Sequence, residues 1–192
     1  MNIRFRLGIS VFVAAVATVG PAPAQGAVTV VGGGLARGCY EAVEYARVST
    51  SDAIKMCDLA LEQEVMSRRN RAATYTNRGI LYMREGRNER ALSDYERSLS
   101  LMPLLETKVN VGAALYGLKR YPEALNILTE GIATESPDAR ATGFYNRALT
   151  YEKLGNVEAA YYDFRAALEA VPEFEAAQKQ LARFTVVPAP AN

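Results

Sequence analysis

Gly79 and Gly112 stand 33 residues apart, Ala148 follows 36 later, and several other positions keep step with them. Ala91, Ala124 and Ala160 share the interval, as do Tyr95, Leu128 and Phe164, and then Ser98, Gly131 and Ala167. Pro103, Pro137 and Pro172 close the units. A period of roughly 34 residues, built from two short amphipathic helices and a closing proline, is the pattern of a helical solenoid, in which each unit covers its neighbour's apolar face. Small residues at 79, 112 and 148 let the two helices of a unit approach closely, and Ala91, Ala124 and Ala160 serve the same closeness from the other side. Tyr82, Tyr151, Tyr95 and Phe164 fill the gaps, each burying about 150–250 Å². Pro122 suits a first helical turn, where its missing N–H costs nothing.

These landmarks resemble the tetratricopeptide repeat family, whose pattern runs aromatic, Leu-Gly and Tyr, then Ala, Phe and a small residue, then Pro. Tyr75, Arg78-Gly79, Tyr82, Ala91, Tyr95, Ser98 and Pro103 carry it in one unit. Phe144, Arg147-Ala148, Tyr151, Ala160, Phe164, Ala167 and Pro172 carry it in another. Arginine replaces the family's leucine in both, and in the unit between them Lys108 stands in the aromatic slot. Ala53, Cys57 and Ala60 mark an earlier, degenerate unit, and "EFEAAQKQLARF" after Pro172 looks like a capping helix. The resemblance implies an all-α fold, a right-handed superhelix of antiparallel helix pairs with about four repeats and a C-terminal capping helix. The expected domain spans 38–185, with repeats near 38–68, 72–104, 105–137 and 141–172 and the cap at 173–185. Residues 186–192, "VVPAPAN", read as a disordered tail.

The first 24 residues have the build of a secretory leader. Arg4 and Arg6 precede an uncharged run from Leu7 to Val19, and "APA" at 22–24 offers a cleavage site after Ala24. That apolar run is short for a membrane span. The expected mature chain is soluble and periplasmic or secreted, with 20 basic and 21 acidic residues once the two leader arginines are gone from the 22 and 21 of the full chain. Cys39 and Cys57 are the only cysteines, and an oxidising compartment favours their pairing, a free buried cysteine being the plainer alternative. In "QGAVTVVGGGLA" (25–36) the glycines imitate a dinucleotide-binding turn, but Arg37 stands where the third glycine is needed and no second strand follows. Residues 25–37 therefore read as a flexible linker.

Asn77, Asn110 and Asn146 recur at equivalent places in three first helices, although Asn is a poor helix former. First helices line the concave side of such a superhelix, so the three amides are expected to form a row along a groove. Each amide has donors and an acceptor and can satisfy an extended chain's N–H and C=O together. The row resembles the asparagine ladders by which tetratricopeptide domains hold peptides. The family's carboxylate clamp is incomplete, because Ala73, Glu106 and Thr142 replace its cations. Thr76, Ile80, Met83, Tyr116, Tyr145 and Leu149 are expected to flank the amides, with Arg84 and Lys153 at the rim. The alternative is an amide row that merely meets water.

The chain has no histidine, and no GxSxG, SxxK or phosphate-loop motif is present. The expectation is a non-enzyme with no cofactor and no metal. Near-balanced charge argues against nucleic acid, and "SRRNR" (67–71) reads as a solvated helix end. The expected function is a periplasmic protein-interaction module that binds an extended peptide segment of a partner protein. The alternative is a structural, self-assembling homo-oligomer using the Tyr161–Tyr162 pair.

Overall fold

A computed structural model describes residues 3–7 and 27–188, with side chains over 27–185. Among these residues the chain is all-α apart from one two-stranded antiparallel pair. The helices are α1 (Leu35–Tyr45), α2 (Thr50–Gln63), α3 (Arg68–Arg84), α4 (Asn88–Leu101), α5 (Leu105–Gly117), α6 (Tyr121–Gly131), α7 (Pro137–Lys153), α8 (Val157–Ala170) and α9 (Glu175–Leu181). The strands are β1 (Ile3–Leu7) and β2 (Phe184–Pro188), with Phe5 opposite Val186. Helices pair in sequence as four hairpins, α1–α2, α3–α4, α5–α6 and α7–α8, and first helices also touch one another, α1 on α3 and α5 on α7.

Local chemistry sets the hairpins. Ser49, Ser67, Ser136 and Asn156 cap helix starts, each side chain accepting a backbone N–H three residues on. Three hairpin turns are one structure repeated: Arg87, Arg120 and Asn156 donate back to the carbonyls of Tyr82, Leu115 and Tyr151, each at 2.9 Å. The left-handed residue this requires is Gly86 or Gly155 in two turns and Lys119, at φ 61°, in the third. Close packing explains the small residues. A Cβ on Gly79 would run into the Tyr95 ring, and one on Gly112 into Leu128.

The first hairpin solves the same contact covalently. Cys39 and Cys57 form a disulfide, with Cα atoms 4.7 Å apart, where later units place Gly79 against Tyr95 and Gly112 against Leu128. Its sequence separation is 18 rather than 16 (95 − 79), because the α1–α2 turn is longer and passes through Ala46 at φ 47°.

The ends depart from the sequence expectation. Most of the expected leader lies outside the described residues, but Ile3–Leu7 is strand β1. Residues 186–188, read as tail, belong to β2, and the run beyond them lies outside the described residues. The linker read over 25–37 is corrected twice: α1 already begins at Leu35, and residues 28–31 are fastened to α3. The capping helix α9 is short, and Phe174 before it packs on Tyr145 at 5.2 Å between centroids. Among the described residues no helix is long and apolar enough to cross a membrane.

Candidate functional site

The three asparagines hold equivalent positions on α3, α5 and α7, and all are buried, with 0–1% of each exposed. All three amides are thus shielded from solvent in this structure. Asn77 shows what such an amide does. Its Oδ1 accepts the Val28 N–H at 2.9 Å and its Nδ2 donates to the Val28 carbonyl at 3.1 Å. This is the two-point main-chain contact expected of a peptide ladder, made here to the chain's own N-terminal segment. Asn110 and Asn146 repeat the side chain without the contact: among the described residues neither amide oxygen nor nitrogen has a hydrogen-bond partner. An unmatched buried polar group costs about 1–3 kcal/mol.

One ladder residue escaped the sequence reading. Asn70, two turns before Asn77, accepts from the Val31 N–H at 3.3 Å and donates to the Val31 carbonyl at 2.8 Å. It lies inside "SRRNR", read as a solvated helix end, and the signal for it was its seven-residue offset from Asn77.

The flanking residues divide differently from expectation. Thr76 does not face a groove; it bonds Ser98 at 2.8 Å and Thr107 at 3.0 Å, tying α3 to α4 and α5. Ile80 and Leu149 are core residues, and Met83 packs against that core from the side. The reason is geometric: a first helix inside a solenoid touches its own partner and both neighbouring units, leaving only a narrow free stripe. Tyr116 and Tyr145 are nearly buried, Tyr116 against Tyr121 at 5.5 Å and Tyr145 against Phe164 at 5.6 Å. Burial pushes the Tyr116 hydroxyl up to about 12. Burial also raises Tyr145, with a hydrogen bond from Gln180 acting the other way. Arg84 and Lys153 are exposed, and Arg84 donates to the Val43 carbonyl at 3.0 Å. A cavity of about 590 Å³ between α7 and α9 is lined by Tyr145, Phe174, Lys179 and Gln180. Of the tyrosine pair offered for self-assembly, Tyr162 is exposed but Tyr161 packs on Phe184 of β2 at 5.7 Å.

The arginines that replace the repeat's leucine are explained by partners sixteen residues on. Arg78 grips Asp94 through Nε and Nη2 at 2.7 and 2.8 Å and reaches Asp58 of the preceding unit at 2.7 Å. Arg147 grips Asp163 with the same two distances. Burial works against the Arg78 charge, but its bonds to Asp94 and Asp58 outweigh that and raise its pKa; at Arg147 the Asp163 bond dominates and raises it too.

Residues 72–105 and 141–174 each match the tetratricopeptide repeat family. The chain carries tetratricopeptide repeats. Solved tetratricopeptide arrays share the fold: MamA residues 41 to the end from Desulfovibrio magneticus RS-1, at TM-score 0.60 and 22% identity, over 78% of this chain and 82% of that one. YrrB, described as a tetratricopeptide protein with an unusual peptide-binding site, aligns at TM-score 0.59 and 20% identity over 75% and 70%. The second such domain of human RPAP3, solved with an HSP70 peptide, aligns at 0.55 and 24% over 61% and 97%. In sequence, the DnaJ homolog subfamily C member 7 homolog of Schizosaccharomyces pombe is 33% identical over 78 residues, which is 41% of this chain but only 16% of that protein. Tetratricopeptide arrays are protein-interaction scaffolds, and some of these neighbours hold peptides.

Proposed function

We propose that this protein is an exported adaptor that holds an extended segment of a partner protein along the first-helix layer of its tetratricopeptide array. The observation that carries the reading is the Asn77 contact: one buried amide clasps both main-chain groups of Val28, and the same amide recurs at Asn110 and Asn146 with no hydrogen-bond partner among the described residues. A partner strand admitted between the groups that shield these amides, as Val28 is at Asn77, would satisfy those four polar atoms. Contacts to main chain give affinity with little sequence demand, so selectivity falls to the side-chain pockets between amides. The leader-like sequence at 1–24 and the disulfide support export.

The test uses decapeptides selected from a random display library on the full chain, with binding read by fluorescence anisotropy. Asn110→Ala with Asn146→Ala is expected to weaken binding by about tenfold or more, since each lost two-point contact is worth roughly 1–3 kcal/mol. The melting temperature of that variant should stay level or rise, because a buried unmatched amide has been removed. Binding that survives the double change overturns the reading.

A further inference from the structure

The contact that reveals the amide row is made by the chain itself, and its geometry is that of a bound ligand. Val28 and Val31 are three residues apart, which spans about 10 Å in an extended chain, and Asn77 and Asn70 are seven apart, which spans about 10.5 Å of helix. The two intervals match, so a strand running antiparallel to α3 meets an amide at every third residue. Four hydrogen bonds result, two at each amide. Between them Val30 is the apolar anchor: it is 1% exposed and packs with Ala36, Ala60 and Ala73, from α1, α2 and α3. Thr29 and Val31 alternate outward to solvent.

The segment is attached so that it can leave. Gly32 and Gly34 take positive φ, at 109° and 102°, and nothing lies within 4 Å of a Cβ built on Gly32 or Gly33. Helix α1 is held by other means: the Glu64 carboxylate accepts the Ala36 N–H at 2.7 Å, and the disulfide joins α1 to α2. Undocking residues 27–31 therefore costs four hydrogen bonds, the burial of Val30 and the partial burial of Ala27 and Val28, without unfastening the first hairpin.

We propose that Ala27–Val31 is a tethered occupant of the amide row, which competes with an external chain for α3 and displays the chemistry of that chain: extended, uncharged and β-branched, with an anchor residue between two clasped ones. This rests on the adaptor reading above. The glycine run that imitates a nucleotide-binding turn is its hinge. A short tether gives an effective concentration of about a millimolar, so a free segment of equal intrinsic strength meets a largely filled α3.

The probe is a fluorescein-labelled peptide with the sequence of residues 26–33, GAVTVVGG. It is titrated against the full chain and against a released variant carrying Val28→Pro and Val30→Asp, which lose the N–H that Asn77 accepts and the apolar anchor. The released variant should bind the peptide at least tenfold more tightly than the parent, and adding Asn77→Ala should abolish that gain. Helical circular dichroism and the melting curve establish that each variant is folded. Equal binding to parent and released variant, or no binding to the released variant, overturns the tethered occupant. The adaptor reading is judged apart from it, by the library peptides and the Asn110 and Asn146 changes, so the two can fail separately.

Discussion

Replacing the Arg147–Asp163 pair tests whether these buried charges stabilise the array or only fit it. The pair is largely enclosed, with 14% of the arginine side chain and 9% of the aspartate exposed. At 2.7 Å and an effective dielectric near 20, the attraction is on the order of 6 kcal/mol, an upper figure because both charges are spread over several atoms. Taking two ions out of water costs several kcal/mol each, so the net is small. The third unit shows the slot works without charge, for Val111 and Ile127 occupy the matching positions, sixteen apart. Asp163→Leu alone strands Arg147 and should cost about 3 kcal/mol, and Arg147→Met alone should cost about the same. The double variant should lie within about 1 kcal/mol of the parent or above it, a coupling of several kcal/mol. Urea unfolding followed by circular dichroism reads all four proteins, and a shift of about 3 kcal/mol corresponds to roughly 6–12 °C in melting temperature for a chain of this size. Additive single costs, with coupling below about 1 kcal/mol, would refute the reasoning.

Two further outcomes follow from local features. Cys39→Ala with Cys57→Ala opens a loop whose closure is worth about 3 kcal/mol; α1 and α2 should lose hydrogen-exchange protection while α7 and α8 keep theirs, and uniform protection would contradict this. For Tyr116 the folded pKa near 12 lies above the unfolded value near 10, so the stabilisation is whole below pH 10 and is lost as pH rises toward 12. Between pH 9 and about 11.5 the parent should lose roughly 2 kcal/mol more in urea stability than Tyr116→Phe, and equal losses would place that hydroxyl in water.

The repeat, its core and the covalent pair were readable because each rests on spacing or on a rare residue. Gly79, Tyr95 and Phe164 fall in register whatever their neighbours do, and two cysteines in one chain have one possible pairing. The row of amides was readable for the same reason. Its surroundings were not, because Thr76, Ile80 and Leu149 were assigned by helical offset alone, and a helix packed on three sides leaves few offsets free. The docked segment was read as a linker because five extended residues between glycines carry no period. Its hydrogen bonds come from main chain, which a sequence does not display. The Arg–Asp pairs were visible in principle: both leucine replacements have aspartate sixteen residues later.

Comparison among the chain's own units separates the residues that serve packing from those that do not. At one facing pair the units use Cys39–Cys57, Gly79–Tyr95, Gly112–Leu128 and Ala148–Phe164; at the adjoining pair they use Gly38–Met56, Arg78–Asp94, Val111–Ile127 and Arg147–Asp163. A covalent bond, a ring against a glycine, an ion pair and two aliphatics are four chemistries for one task, so the packing problem admits many answers. The position just before these has no such freedom in the last three units: it is Asn77, Asn110 and Asn146, in a place where an apolar side chain would avoid the cost of burying an amide. Only the first unit differs, with Arg37 paired to Glu41 on the exposed face of α1. If packing chose this residue it would vary as the pairs do. The adaptor function proposed above accounts for this constancy: an amide that answers to main chain, as Asn77 does at Val28, serves whatever sequence brings it.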